Sequence, residues 1–213
     1  MVLANNVYCG DCLELMKEID DQSVDLILCD LPYGTTRCKW DVIIPFESLW
    51  QHYSRIIKPN GAILLFGNEP FSSKLRLSNI NQYKYDWYWQ KDKAANFLFG
   101  NKMPLKNKET KMDNTQNYHG KSYEPDKLLP KQLIYFAREQ RGKAHPTQKP
   151  VALCEYLIKT YTNEGDLVLD NCLGSGTTAI ACIRTGRNYI GIEKEQKYVD
   201  IALQRIAEEK SNA

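Results

Sequence analysis

Residues 169–178 read Leu169-Asp170-Asn171-Cys172-Leu173-Gly174-Ser175-Gly176-Thr177-Thr178, and this stretch decides the fold class. It joins a short apolar run, residues 166–169, to a helical pattern over residues 177–185 through a loop holding two glycines. Glycine lets the backbone approach a ligand closely, and such a loop delivers that ligand to a helix N-terminus, where unpaired N–H groups point outward. Working outward, a second apolar run at residues 188–192 ends on Glu193, about twenty residues past the loop, a position from which a carboxylate can hold ribose hydroxyls. A helix over residues 196–210 follows, with Val199, Ala202, Leu203 and Ile206 at the spacing that buries one stripe. Strand, glycine loop, helix, strand and acid in this order suit any adenosine-bearing cofactor. The dinucleotide fingerprint is incomplete, because Ala179 stands at its third glycine position, so a nicotinamide cofactor is the alternative and not the first reading.

The same alternation runs through the rest of the chain. Apolar runs at residues 24–29 and 62–66 read as buried strands, with residues 85–89 and 133–136 as further strand candidates. Helical patterns cover residues 11–19, 46–57 and 151–162, the last with Cys154, Leu157, Ile158 and Tyr161 on one stripe. Repeated strand–helix alternation predicts an open, mostly parallel sheet with helices on both faces, which binds ligands beyond the carboxyl ends of its strands. With 213 residues the chain is taken as a single domain over residues 1–213. One region breaks the rhythm: residues 100–131 are polar, rich in Lys and Asn, and carry Pro104, Pro125 and Pro130. A stretch of that length without structure is unusual in a compact domain unless it is functional or disordered. It is read as a substrate-recognition insert spanning approximately residues 92–143.

The net charge of +2 says little about partners, but its distribution says more. From Lys91 to Lys149 there are 13 basic residues and 6 acidic ones, a local excess of the kind a polyphosphate partner requires. A solvated surface loop is the alternative for that segment taken alone. The seven cysteines are an odd number, scattered and mostly within apolar runs, which suits reduced buried thiols better than a disulfide framework. Cys9 and Cys12 form a C-x-x-C, but no second pair at matching spacing follows and the three histidines are far apart, so no metal is expected. No run approaches the ~18 apolar residues of a membrane span and the N-terminus lacks a leader pattern, so a cytoplasmic location is expected.

A second constellation lies directly after the strand ending at Cys29: Asp30-Leu31-Pro32-Tyr33-Gly34. It offers a carboxylate, a backbone carbonyl on a rigid turn and an aromatic face. An exocyclic amine on adenine or cytosine is a poor nucleophile because its lone pair is delocalised into the ring. Hydrogen bonds from that NH2 to Asp30 and to the Leu31 carbonyl would help localise the lone pair, and Tyr33 could stack on an extruded base, a contact worth roughly 1–3 kcal/mol. The plain alternative is a strand-to-turn junction, with Pro and Gly supplying geometry and Asp capping the turn.

Asp30-Leu31-Pro32-Tyr33 resembles the D/N/S-P-P-Y/F/W motif of amino-methyltransferases, with Leu31 in place of the usual first proline. The run from Asp170 to Gly176 is similar to their cofactor motif, and His145-Pro146-Thr147-Gln148-Lys149-Pro150 to the segment that precedes it in one subgroup. Trp89-Gln90-Lys91 and Lys102-Met103-Pro104-Leu105 resemble weaker family patterns. The order, catalytic motif, recognition region, cofactor motif, is that of the beta group of DNA amino-methyltransferases, permuted relative to most methyltransferases. The resemblance spans roughly residues 7–206. It implies a doubly wound, mostly parallel seven-stranded sheet with a basic insert, S-adenosylmethionine as cofactor, and double-stranded DNA as partner. It also implies catalytic roles for Asp30, Leu31, Pro32 and Tyr33. The cofactor would be held by Asp11, Asp30, Thr147, Lys149, Asp170, Cys172, Gly174, Ser175, Gly176, Thr177 and Glu193. Leucine keeps the backbone carbonyl at position 31 but loses proline's conformational lock.

Among activities, Asp at the first position of the motif leans toward adenine N6, whereas Ser is more typical of cytosine N4. Cytosine C5 chemistry would need a cysteine nucleophile after a proline, and no Pro-Cys dipeptide occurs in the chain. The rival from another class is a catalytically silent DNA-binding protein on the same fold, against which the intact Asp30, Tyr33, Gly174, Gly176 and Glu193 weigh. The recognition region is small, which suggests a short site, a partner subunit or a homodimer.

Overall fold

A computed structural model of the chain describes residues 2–36, 38, 41–91, 132–138 and 148–212. In chain order the elements are β1 (Asn6–Cys9), α1 (Cys12–Leu15) with a 3-10 turn at Met16–Glu18, β2 (Val24–Cys29), α2 (Phe46–Ile56), β3 (Ile57–Leu65), α3 (Phe71–Ser78), β4 (Tyr88–Gln90), β5 (Leu133–Tyr135), α4 (Val151–Tyr161), β6 (Leu167–Asp170), α5 (Thr177–Thr185), β7 (Asn188–Glu193) and α6 (Gln196–Asn212). They fall into two compact units. One is formed by residues 1–84 with 138–213, the other by residues 85–137.

The first unit is built on a parallel sheet with strand order β1-β7-β6-β2-β3. Parallel neighbours need crossovers, and the helices supply them: α2 carries the chain from β2 to β3, and α5 carries it from β6 to β7. Strand β2 shows why the sheet needs cover on both faces, since Val24, Leu26, Ile27, Leu28 and Cys29 are all buried. Ile27 and Cys29 join Leu169, Ile190 and Ile192 in a core with Cys12 of α1, with Met16 of the following turn and with Leu49, Tyr53 and Ile56 of α2. Leu26, Leu28 and Val168 are equally buried but lie outside that core. The remaining cover comes from α4, which touches β2, and from α5 and α6, which touch β7.

The topology fixes where a ligand can sit. From β2 the chain winds outward to β3, and from β6 it winds outward in the opposite direction to β7. Strands β2 and β6 are direct neighbours, with Leu26 against Val168 and Ile27 against Leu169. Their carboxyl ends therefore flank the switch point of the sheet, the crevice where open parallel sheets bind ligands. Asp30 follows β2 there, and Asp170 ends β6.

The expected seven-stranded sheet is not formed among the described residues: the main sheet has five strands, and β4 and β5 pair with each other as a separate parallel pair. Each is three residues long. Ile134 is buried, but Tyr88, Leu133 and Tyr135 are 57%, 58% and 62% exposed. Neither strand is buried on both faces, as a strand inside a parallel sheet is. Within this second unit Trp89 Nε1 donates to the Phe136 carbonyl at 2.7 Å, and Lys91 Nζ lies 4.9 Å from the Trp89 ring centroid. Most of the expected insert, residues 92–143, lies outside the described residues, as do Lys102 to Leu105.

Candidate active site

Asp30 is held by two side chains from distant parts of the first unit. Tyr33 donates its hydroxyl to Asp30 Oδ1 at 2.6 Å, while Lys149 sets its ammonium on Oδ2. The Tyr33 ring is itself fixed, stacked on Phe71 with centroids 4.8 Å apart and an interplanar angle of 26°. Burial pushes the Tyr33 phenol far above its ordinary range, and the neighbouring Asp30 charge adds to this, so Tyr33 stays a proton donor. Lys149 Nζ also lies 5.0 Å from the Phe66 ring centroid, directly after β3.

Leu31, at the usual first proline of the motif, is 3% exposed and belongs to the core with Cys29 and Tyr53. Burying a leucine side chain is worth roughly 1.5–3 kcal/mol, so packing anchors the turn where proline's ring would have stiffened it. Beyond it Gly34 takes the left-handed φ of 66°, and the chain wraps around Asp41. That carboxylate is 7% exposed and accepts from the backbone N–H groups of Gly34 at 2.8 Å, Thr35 at 2.9 Å and Thr36 at 2.7 Å. Burial would push its pKa up, but hydrogen bonds from the Thr36 hydroxyl and from these backbone groups outweigh it and hold the carboxyl below its ordinary range. Nothing in the residue pattern marks Asp41 in advance, because its partners are backbone groups.

The cofactor-type loop is clamped in the same manner. Asp170 is 5% exposed; Oδ1 accepts from Cys172 N at 3.1 Å and Oδ2 from the Thr178 hydroxyl at 2.6 Å. Burial raises its pKa to about 6 despite those two bonds. Glu193, at the end of β7, accepts from Gly174 N at 2.8 Å and from Glu195 N at 2.9 Å. The loop glycines differ in kind. Gly174, at φ 55°, has nothing within 4 Å of the place a Cβ would take, whereas a Cβ on Gly176, at φ 86°, would come 3.0 Å from Ala202 of α6. Gly174 thus faces open space, and Gly176 lets α6 pack close.

Other expected site residues gather around this frame. Asp11 caps α1, accepting from Leu13 N at 3.0 Å, and β1 pairs Cys9 against Glu193, which brings Asp11 beside the end of β7. Ser175 donates to Gln148 Oε1 at 3.2 Å and is held by Arg205 at 3.1 Å. Thr177 is buried at the start of α5. Cys172 packs against the core that contains Cys12 and Cys29. The Cys172 hydrogen bond, burial and the Asp11 charge push the Cys12 thiol far up, and burial pushes Cys29 to about 12. Cys9 is exposed while Cys12 is buried, and all seven cysteines are free thiols. Thr147 and His145 lie outside the described residues. Lys149, expected near the cofactor, makes an ion pair with Asp30, a contact 119 positions apart in sequence.

Comparison with known proteins bears on this arrangement. Residues 24–204 match the family model of N6/N4 methyltransferases, described as DNA methylase. The type II methyltransferase M.HinfI of Haemophilus influenzae is 30% identical, over 98% of this chain and 70% of that protein. The type II methyltransferase M.HpaI of Haemophilus parainfluenzae is 28% identical, over 95% of this chain and 74% of that protein. Among solved structures, the complex of M1.HpyAVI with S-adenosylmethionine superposes with a TM-score of 0.65 at 27% identity, covering 94% of this chain and 98% of that one. The cytosine-N4-specific PvuII DNA methyltransferase shares the fold, with a TM-score of 0.66 at 17% identity over 100% of this chain and 93% of that one. With the two strand-end motifs meeting at one switch point and the family match running across both, the chain belongs to the N6/N4 family of DNA methylases, enzymes that depend on S-adenosylmethionine.

Proposed function

We propose that this DNA methyltransferase acts on the N6 amino group of adenine within a short specific site of double-stranded DNA. The observation that carries the proposal is the adjacency of β2 and β6, which sets the Asp30 carboxylate beside the glycine loop of the cofactor motif. The loop suits S-adenosylmethionine: Gly174 leaves open space at its Cβ position, and each Glu193 oxygen, engaged once by a backbone N–H, keeps a lone pair for a ribose hydroxyl. S-adenosylmethionine supplies an electrophilic methyl group on a sulfonium centre. The protein's task is then to bring an amine to it in line and with its lone pair available.

Asp30 and the Leu31 carbonyl would accept the two N–H bonds of the amine, directing the nitrogen lone pair toward the methyl. The base must first leave the duplex, and Tyr33, braced by Phe71 and by its own bond to Asp30, supplies the platform on which it stacks. In-line transfer would form the nitrogen–carbon bond as the carbon–sulfur bond breaks, the thioether would leave with the bonding pair, and the surplus proton of the amine would pass to water, with no covalent enzyme intermediate. Adenine is favoured by Asp, not Ser, at the first position of the motif. The type II designation of M.HinfI and M.HpaI supports site-specific action in a restriction–modification setting, and the small recognition region supports two copies acting together.

The test is digestion of treated duplex DNA to nucleosides, with mass spectrometry and Asp30→Ala as control. N6-methyladenine formed only by the intact protein is expected, with cofactor binding retained in the variant. N4-methylcytosine would keep the mechanism and overturn the choice of base. Simultaneous loss of turnover and cofactor binding in Asp30→Ala would reassign Asp30 to the cofactor pocket.

A further inference from the structure

One short segment ties the two halves of the site together. Gln148 accepts from Ser175 in the glycine loop at 3.2 Å, and the next residue, Lys149, places its ammonium on Asp30 Oδ2. The Lys149 side chain is only 17% exposed and lies over Phe66, with Nζ 5.0 Å from the ring centroid. An ammonium largely removed from water, resting on a carboxylate and an aromatic face, is held in place by both. Tyr33 holds the other oxygen of the same carboxylate. A carboxylate has about four lone-pair sites, so one bond on each oxygen stops the group rotating and leaves further sites for an incoming amine.

We propose that Lys149 is a positioning residue for methyl transfer: it fixes the orientation and charge of Asp30, kept in register with the cofactor loop by Gln148 and Ser175, and is not itself a ligand of the cofactor. The proposal rests on the assignment of Asp30 as acceptor of the target amine. Without Lys149 the partly buried carboxylate keeps one anchor and loses its counter-charge.

The test compares Lys149→Met, Lys149→Arg and Asp30→Asn with the intact protein by S-adenosylmethionine titration calorimetry, methylation kinetics and urea denaturation. Lys149→Met is expected to lower kcat by about 100-fold, the scale of a small misplacement at a reacting centre. Its cofactor affinity should stay within about threefold, because only the transition-state geometry is disturbed. Lys149→Arg should recover part of the rate by restoring the charge. In denaturation, Lys149→Met should lower the midpoint of the intact protein but not that of Asp30→Asn, the signature of two groups in one interaction. Cofactor affinity falling tenfold or more with kcat preserved at saturation would overturn the proposal, and so would additive midpoint shifts. If the intact protein transfers no methyl group, the amine-acceptor assignment fails, while the denaturation cycle still decides whether Lys149 anchors Asp30.

Discussion

Four acidic side chains shape the crevice, and each has both oxygens engaged inside the protein: Asp30 by Tyr33 and Lys149, Asp41 by the backbone of residues 34–36, Asp170 by Cys172 and Thr178, and Glu193 by Gly174 and Glu195. Asp170 differs from the rest in what its charge costs. Burial lifts it from an ordinary 3.8 to about 6, so the folded state holds its proton more tightly than the unfolded chain does. Between these two values the folded protein binds more protons, and the contribution of Asp170 to stability falls as pH rises. The shift corresponds to a loss on the order of 3 kcal/mol once pH exceeds the folded value. Asp170→Asn, which cannot ionise, should therefore gain on the intact protein from pH 4 to pH 6.5 in parallel urea titrations. A stability difference independent of pH would mean that Asp170 titrates normally. Three of these acids were legible as residues closing apolar runs, since a strand end is where a parallel sheet presents its chemistry. Asp41 was not, because its partners are backbone groups seen only once the turn is folded. The pairing of Lys149 with Asp30 was equally hidden, being a contact between distant parts of the chain.

At the scale of elements, the glycine loop assigns opposite tasks to two residues that look alike in the motif. Gly174 and Gly176 both adopt left-handed backbone, which costs roughly 1–2 kcal/mol for a residue with a Cβ. Only Gly176 also has a neighbour to collide with, Ala202 at 3.0 Å, so Gly176→Ala adds overpacking against α6. Gly176→Ala is expected to lose about 2–5 kcal/mol of stability, the sum of backbone strain and overpacking. Gly174→Ala should lose only the backbone part and instead weaken S-adenosylmethionine binding, because its methyl group would project into the open cradle. Equal stability losses in urea would show that α6 yields to the new methyl. The elements themselves were readable from their apolar patterns: β2, β6 and β7 as runs, α4 and α6 as stripes, and α2 and α5 as helical patterns between strands. Strand β1 escaped because it has four residues on the edge of the sheet, with only its middle two part-buried. Helix α3 escaped because only Phe71 and Leu75 are buried in an eight-residue segment with three serines. Strand β3 begins earlier than its apolar run suggests, since Ile57 already pairs with Val24 before the Lys58-Pro59-Asn60-Gly61 irregularity.

At the scale of the molecule, the chain divides its labour by segment. The half from β2 to α3 carries Asp30, the half from β6 to α6 carries the glycine loop, and residues 85–147 are threaded between them in sequence. Charge follows the same division. Residues 91–149 hold 13 basic and 6 acidic side chains, while the rest of the chain holds 15 basic and 20 acidic, so a nearly neutral protein is a basic segment joined to an acidic remainder. An acidic remainder repels a phosphate backbone, and we propose that the basic segment supplies the attraction. Each phosphate neutralised by Lys or Arg releases condensed counterions, and the logarithm of the binding constant then falls against the logarithm of salt with a slope of about −0.9 per contact. If the segment makes about five such contacts, affinity for duplex DNA should fall by several hundred-fold from 50 to 200 mM salt. Replacing Lys106 and Lys108 together by Ala should reduce the slope by up to about 1.8. It should leave S-adenosylmethionine binding unchanged, because neither residue belongs to the cofactor motif. Fluorescence anisotropy with a labelled duplex across that salt range measures both quantities. A flat salt dependence would remove the basic segment from DNA recognition and leave the charge asymmetry without a role. A steep slope that the double substitution does not change would keep the electrostatic mechanism and move its contacts to other basic residues of the chain.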